Sequence, residues 1–333
     1  MAAKGLSLPC GEGYRRAVPD LSALLPPPVL FFALGFAAGA LRADLAVPDA
    51  LAKTLSLYLM VAIGLKGGAA LGASEGIWAA LAVGVALSFF LPVPAFALLR
   101  LGTKLDRDTA AAVSGHYGSV SVVTFAAASG AIASHGIEAE GFMPAVLAAM
   151  ETPAILTAIL LSRVGGDPGG APLQARKLAR EVLLNGPVVL LMGSFAIGWI
   201  IGPAGKAQLA PFAEAIFPGA LCLFLLEMGL MAVRQLRAGG RGLSPRLVGF
   251  ALLMPLIGGT AGLFGGELAG LSPGGVALMA ILGASASYIA VPAAMRLALP
   301  RADAGIYVTL SVAVTFPFNI LVGIPLWLRM AGA

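Results

Sequence analysis

A hydrophobic run from about Gly274 to Leu299 is interrupted at its centre by the sequence SASYIAVP. Because side chains two residues apart do not share a helix face, Ser285 and Ser287 cannot lie on one side of a continuous helix. Pro292 lacks the N–H of an i→i−4 hydrogen bond and disfavours helical geometry at the residue before it. We therefore predict a membrane helix that stops and restarts, with a packed proline kink as the alternative. In lipid, the freed backbone groups must line a cavity or be covered by protein.

The same pattern occurs earlier in the chain. The segment 118–125 aligns without a gap with 284–291, at an offset of 166 residues. Four further matches occur in the same order in both halves, at offsets between 159 and 165. They are Pro28-Val29-Leu30 and Phe36-Ala37-Ala38-Gly39 with Pro187-Val188-Val189 and Phe195-Ala196-Ile197-Gly198, Gly64-Leu65 with Gly229-Leu230, Val83-Gly84 with Val248-Gly249, and Thr152-Pro153 with Phe316-Pro317. We interpret the chain as a duplicated membrane protein. Paired interrupted segments in two halves indicate the binding site of a transporter.

Composition agrees with a polytopic membrane protein. Hydrophobic residues make up 59% of the chain and charged residues 11%, whereas soluble proteins average about 25% charged residues. Several apolar runs approach the roughly 20 residues that span a bilayer. The net charge of +5 is assigned to loop residues, so no nucleic-acid partner is expected. Two cysteines provide neither a disulfide framework nor a metal site.

The hydrophobic runs predict an all-α protein of ten transmembrane helices in two repeats of five. The predicted spans are 29–41, 51–65, 76–100, 109–134, 142–162, 183–201, 212–233, 246–266, 274–299 and 305–328. Four parts follow: a loose N-terminal extension (1–27), a first repeat (28–163), a cytoplasmic linker (164–182) and a second repeat (183–330).

The distribution of positive charge predicts the orientation. Fifteen of the 21 Lys and Arg residues lie on the side that holds the loops after the odd-numbered spans. Cytoplasmic loops are enriched in these residues, so both termini should face outward from the inner (plasma) membrane. Five spans per repeat is an odd number, so the second repeat is inverted relative to the first, and alternating access follows naturally from this symmetry.

Polar side chains at the two breaks are the candidate substrate ligands, because polar groups inside a membrane are costly and usually functional. They are Ser119, Ser121, Thr124, Ser285, Ser287 and Tyr288. No Ser/His/Asp arrangement or histidine-based metal spacing is present in the sequence, so we do not expect an enzyme.

Glu151 is the first candidate ion ligand, because Pro153 frees backbone carbonyls close to its carboxylate. Asn319, in the matching part of the second repeat, and the hydroxyls of Ser121 and Ser287 complete the predicted Na⁺ ligands. A carboxylate neutralised by burial is the alternative for Glu151.

The sequence resembles the sodium-dependent bicarbonate transporter family, the SbtA-type permeases, from about Pro28 to Trp327. The motifs that carry the resemblance are Val47-Pro48-Asp49, Gly64-Leu65-Lys66-Gly67-Gly68, Gly118 to Thr124, Glu151-Thr152-Pro153-Ala154, Ser285-Ala286-Ser287, Pro292, Arg296 and Pro300. The resemblance implies five-plus-five inverted repeats with two crossing broken helices, a core domain and a gate domain. It also implies a homotrimer that takes up bicarbonate with Na⁺ as the coupling ion and no other cofactor, and a PII-like regulatory protein on the cytoplasmic face.

The chain departs from this family in the loop between the repeats, which is shorter here, and at three sets of residues. Cyanobacterial members carry an acidic residue at the position of Tyr288, Gly-Ser at Val122-Val123, and Asp at Glu151. Two alternatives therefore stay open: the same fold transporting a small organic acid, and a membrane sensor that does not transport.

Overall fold

Helices form all the regular secondary structure that a computed structural model assigns to residues 27–45, 47–69, 76–163, 186–239, 243–289 and 291–333. The structure describes these residues and no others. The predicted N-terminal extension, apart from Pro27, and the linker 164–182 lie outside them.

The first half of the chain contains helices α1 to α8. Their bounds are α1 Pro27–Ala40, α2 Asp49–Ala69, α3 Ile77–Phe90, α4 Pro92–Gly102, α5 Arg107–Gly118, α6 Val122–Ser134, α7 Met143–Met150 and α8 Pro153–Arg163.

The second half contains α9 to α14. Their bounds are α9 Gly186–Ala210, α10 Phe217–Gly239, α11 Pro245–Leu268, α12 Pro273–Ala284, α13 Val291–Ala298 and α14 Ala304–Met330. A short π-helical segment, Pro211–Ala215, joins α9 to α10, and α14 contains two more, Leu310–Thr315 and Asn319–Gly323.

Seven helical stretches within the described residues are long and apolar enough to cross a membrane, by length and composition. One of them, Val189–Ala238, runs 50 residues through α9 and α10. It contains a kink at Gly202, whose φ of 58° is in the left-handed region, followed by Pro203. Helices α1 and α12 are apolar but shorter.

Side-chain caps fix where the helices next to the breaks begin. The carboxylate of Asp106 accepts a hydrogen bond from the Thr109 N–H at the start of α5. The Ser272 hydroxyl accepts one from the Gly275 N–H at the start of α12. Each cap satisfies one of the N–H groups that a helix start leaves without a partner.

Two long helix pairs join the halves: α1 packs along α10, and α2 packs along α9. Glycines allow the backbones to approach closely. A side chain at Gly229 would collide with the carbonyl oxygen of Phe32, and one at Gly64 would collide with that of Leu191. Helix α12 lies against α11, and α5 lies between α4 and α8. These contacts bury the two interrupted helices inside the molecule.

Candidate functional site

The first break separates α5 from α6. Helix α5 ends at Gly118, and the backbone is extended at Ser119 (ψ 173°) and Ser121 (ψ 110°) before α6 begins at Val122. The Ser121 hydroxyl accepts a hydrogen bond of 3.2 Å from the Thr124 N–H. Ser121 is therefore the N-cap of α6, a position that favours serine because its oxygen replaces a missing carbonyl.

The second break separates α12 from α13 and is longer. Helix α12 ends at Ala284, and residues 285–289 are not helical. Helix α13 begins at Val291, which places Pro292 in its first turn. Proline is well tolerated there because an N–H in the first turn has no partner within the helix. The predicted interruption is present in both halves.

The two breaks meet inside the protein. The Ser121 N–H donates to the Ser285 Oγ at 3.0 Å, and the Ser287 N–H donates to the His116 carbonyl at 2.8 Å. All of these residues are buried. Each break thus satisfies a backbone donor that the other one frees, as the interior of a membrane protein requires.

Two of the four break serines are engaged with backbone carbonyls. The Ser119 hydroxyl donates to the Glu151 carbonyl at 3.3 Å, and the Ser285 hydroxyl donates to the Leu282 carbonyl at 2.9 Å. Because the Ser285 oxygen also accepts from the Ser121 N–H, this hydroxyl both donates and accepts a hydrogen bond. These two serines hold the breaks in place.

The other two serines line a small cavity at the junction. Its walls are Met60, Val120, Ser121, Val122, Glu151, Ser287, Tyr288 and Ile289. The volume of the cavity that is open to the centre of a water molecule is about 10 Å³. This is about the space that one water molecule needs. The cavity in this conformation therefore matches one water or one small cation.

Glu151 carries the only carboxylate among the described residues that line this cavity. It lies in the interruption between α7, which ends at Met150, and α8, which begins at Pro153. Its side chain is buried, and its Oε2 has no hydrogen-bond partner among the described residues. A buried carboxylate needs a proton or a cation to offset the loss of solvation. The site therefore offers a hard cation an anionic oxygen beside two hydroxyls.

The helix ends give the junction polarity of both signs. The carboxyl ends of α5 and α12 and the amino ends of α6 and α13 are at the breaks. Amino ends stabilise negative charge, and carboxyl ends stabilise positive charge. An anion and a cation can therefore be stabilised within one junction.

The structure brings together four of the predicted site residues: Ser121, Ser287, Tyr288 and Glu151 line the cavity. Tyr288 also packs edge-on against Phe316, with ring centroids 5.6 Å apart. These residues come from three separate helix interruptions, and the junction makes them neighbours.

Thr124 and Asn319 are placed differently. Thr124 is buried in the first turn of α6 and is absent from the cavity lining. The Asn319 amide donates to the Ala284 carbonyl at 2.8 Å, so it satisfies the carboxyl end of α12, and its Oδ1 has no partner among the described residues. Neither Asn319 nor Ser119 nor Ser285 lines the cavity.

Sequence reasoning missed the Met60 wall of the cavity and several supports of the junction. Met60 comes from α2, a helix with no break, and nothing in its sequence marks it. His116 acts through its backbone carbonyl, which no side-chain pattern reveals. Ser88 could have been noticed in the sequence, because it is the one residue with a hydroxyl group in the predicted span 76–100.

Two other charged groups near membrane-spanning helices lie outside the cavity lining. Glu227 is buried and forms an ion pair with Arg234, two turns later in α10. The Lys66 ammonium lies 4.1 Å from the ring centroid of Phe217, a cation–π contact between α2 and α10. Both groups have partners away from the junction.

One family model matches almost the entire chain. The model of the Na⁺-dependent bicarbonate transporter superfamily covers residues 27–332, a range that contains both breaks and Glu151. No curated protein matches the chain significantly.

Proposed function

Because this chain belongs to the Na⁺-dependent bicarbonate transporter superfamily, we propose that it is a sodium-coupled symporter for bicarbonate or a similar small anion. The observation that carries the proposal is the junction of two helix breaks around the buried Glu151 carboxylate. Broken helices that meet within the membrane are the usual construction of substrate and ion sites in secondary transporters.

We further propose the ten-helix, five-plus-five inverted repeat, with residues 28–163 and 183–330 as the two halves. Helices α5 and α12 support it, because each has 12 residues and α12 starts and ends 166 residues after α5. Their N-caps, Asp106 and Ser272, have the same separation. This is the offset at which the two break sequences align.

The pairing of helices gives independent support for the repeat. If α1 corresponds to α9 and α2 to α10, the pair α1–α10 is equivalent to the pair α9–α2. Gly229 meets the Phe32 carbonyl in the first pair, and Gly64 meets the Leu191 carbonyl in the second. Gly229 lies 165 residues after Gly64, and Leu191 lies 159 residues after Phe32. Both values agree with the offsets of the sequence matches in these helices.

The proposed mechanism begins with sodium. Na⁺ binds at the Glu151 carboxylate with oxygen atoms of Ser121 and Ser287, and it removes the net negative charge of the cavity. The amino ends of α6 and α13 then stabilise an anion beside it. Without Na⁺, the carboxylate repels the anion, and this repulsion couples the two solutes.

Alternating access requires movement of the junction. The cavity has room for about one water, so a bicarbonate ion enters only after its walls separate. We propose that the core with the two breaks moves against a gate formed by α1, α2, α9 and α10. Met60 of α2 is a wall of the cavity and closes it from the gate side.

The resemblance to the family also suggests a cellular location, an oligomeric state and a regulatory partner. We propose the inner (plasma) membrane as its location, with both termini outside the cytoplasm, a homotrimer as its assembly, and a PII-like protein as a cytoplasmic regulator. Cross-linking of the purified protein in detergent and in lipid, followed by mass measurement, tests the trimer.

Uptake by proteoliposomes tests the central proposal. Purified protein is reconstituted, and labelled bicarbonate uptake is measured at fixed pH with an inward Na⁺ gradient, an inward K⁺ gradient or no gradient. We expect uptake above the protein-free level only with the Na⁺ gradient. Uptake that is equal under all three conditions would remove sodium coupling from the account.

An organic acid is the second candidate substrate, and the cavity lining favours it. Met60, Val120, Val122 and Ile289 are apolar walls, and Tyr288 adds an aromatic ring. Such walls suit the hydrocarbon part of a small carboxylate better than they suit bicarbonate. Competition decides between the two: acetate, lactate and pyruvate are added to the bicarbonate uptake assay. Inhibition by a monocarboxylate at concentrations below those of bicarbonate would favour the organic acid.

A further inference from the structure

The helix that carries Glu151 is opened by a side chain from another helix. In a continuous helix, the Ala154 N–H would donate to the Met150 carbonyl four residues earlier. Here the Ser88 hydroxyl of α3 stands between them: it donates to the Met150 carbonyl at 2.5 Å and accepts from the Ala154 N–H at 3.1 Å. Insertion of a side chain into this ladder is one recognised cause of a sharp helix bend.

The backbone of the α7–α8 segment, on both sides of the inserted Ser88 hydroxyl, also has the hydrogen bonds of an opened turn. The Glu151 N–H donates to the Ala148 carbonyl at 3.4 Å, and the Ile155 N–H donates to the Thr152 carbonyl at 3.2 Å. Both are i→i−3 contacts and replace the i→i−4 pattern. Pro153 has no N–H to donate, so one more carbonyl of this turn lacks its usual i→i−4 partner. The interruption that holds Glu151 therefore depends on a donor and acceptor from outside the helix.

We propose that Ser88 is a positioning residue for Glu151, and that its inserted hydroxyl holds the turn open so that the carboxylate lines the cavity. Ser88 does not line the cavity itself, and its side chain is completely buried. The inference rests on the proposed sodium site for its functional consequence, although the insertion itself does not.

The effect is expected to be specific to sodium. In metal sites, loss of a residue that orients a ligand commonly reduces affinity by about 10- to 100-fold. In Ser88→Ala the Ala154 N–H can bond directly to the Met150 carbonyl, and the carboxylate turns with the closing helix. Ser121 and Ser287, which come from the two breaks, keep their positions. The Na⁺ requirement should therefore change more than the bicarbonate requirement.

The test combines chemical labelling with transport. Dicyclohexylcarbodiimide reacts with buried carboxyl groups, and mass spectrometry of the Glu151 peptide gives the labelling rate, with Glu151→Gln as the blank. Three variants are compared with the unmodified protein: Ser88→Ala, Ser88→Thr and Ser162→Ala. Ser162 is a matched control because it is a buried serine of α8 whose hydroxyl bonds within its own helix, to the Ile159 carbonyl at 2.7 Å.

In Ser88→Ala we expect at least a threefold change in the Glu151 labelling rate and about a tenfold rise in the Na⁺ concentration for half-maximal uptake. The half-saturating bicarbonate concentration, measured at saturating Na⁺, should stay within twofold. Ser88→Thr, which keeps the hydroxyl, and Ser162→Ala should stay within twofold for all three quantities. If Ser88→Ala does not give folded protein, Ser88→Cys is measured instead and is expected to show the same changes.

Unchanged labelling and an unchanged Na⁺ requirement in folded Ser88→Ala, or in its substitute, would overturn the proposal. An equal loss for sodium and bicarbonate would also overturn it, because that is the result of a general packing defect. If Na⁺ fails to protect Glu151 from labelling in the unmodified protein, the sodium site fails. The labelling rates of the Ser88 variants would still decide whether the inserted hydroxyl positions the carboxylate.

Discussion

Single serines in the second break have different roles, although they are only two residues apart. Ser285 accepts from the Ser121 N–H and donates to the Leu282 carbonyl. Ser287 presents its side chain to the cavity, and its hydroxyl makes no hydrogen bond to another described residue. The sequence predicts the same role, substrate binding, for both serines. Only the way in which the two breaks pack together distinguishes the structural serine from the one that lines the cavity.

Ser285→Ala should reduce stability. The substitution leaves the buried Ser121 N–H without its acceptor, which costs about 1–3 kcal/mol. Ser287→Ala removes no hydrogen bond between described residues and should leave the thermal midpoint almost unchanged while uptake falls at least tenfold. Thermal unfolding in detergent and proteoliposome uptake measure the two effects. If Ser285→Ala and Ser287→Ala have the same thermal midpoint, and Ser287→Ala takes up bicarbonate at the wild-type rate, the roles assigned to both serines are contradicted.

Glu151→Gln should remove sodium coupling. The amide keeps the shape of the side chain but cannot offset the charge of a cation. Na⁺-driven uptake should therefore fall at least tenfold, because loss of even a supporting residue of a metal site commonly costs about 10- to 100-fold, whereas Glu151→Asp should retain part of it. A Glu227→Gln variant serves as the comparison, because Glu227 lies outside the cavity lining and is paired with Arg234. Normal sodium-dependent uptake by Glu151→Gln would place the ion elsewhere.

At the scale of helices, close glycine contacts join the two halves. In α10, the three atoms nearest to a β-carbon at Gly229 would be backbone atoms of α1, whereas a β-carbon at Gly219 would meet no atom of the described residues within 4 Å. Backbone cannot move aside as a flexible side chain can, so Gly229→Ala must push α1 and α10 apart.

Gly229→Ala is expected to cost about 1–3 kcal/mol, the usual cost of overpacking. Gly219→Ala, in the same helix, should be neutral or stabilising by up to about 1 kcal/mol, because alanine favours the helix more than glycine does. Thermal unfolding of both variants tests this prediction. A destabilisation that is equal in the two would indicate that the α1–α10 contact is not tight.

Sequence patterns located the breaks but not what supports them. The serine pairs and Pro292 predicted interruptions that the structure has at residues 119–121 and 285–289. Pro153 predicted freed carbonyls close to Glu151, but nothing in the sequence predicted the insertion of Ser88, because it depends on how α3 lies against α7 and α8. The π-helical segments of α14 likewise have no simple sequence period. Local breakers are readable from sequence, whereas contacts between distant segments are not.

At the scale of the whole molecule, sodium and the anion should increase each other's affinity by the same factor. Reciprocity is a thermodynamic requirement for two ligands coupled through one protein. With one carboxylate between the two sites, we expect about a tenfold effect in each direction, within the usual range for coupled sites. Binding of labelled Na⁺ with and without bicarbonate, and of labelled bicarbonate with and without Na⁺, measures both factors. Independent binding would contradict the proposed role of Glu151.

The central claim is that the two helix breaks meet and form the site for ion and anion. A cryo-electron microscopy map of the protein in lipid, with Na⁺ and bicarbonate present, tests it most directly. We expect non-helical backbone at residues 119–121 and 285–289, a cation density beside the Glu151 carboxylate, and an anion density between the breaks. Continuous helices through these segments, or ion densities elsewhere with the junction empty, would contradict the account.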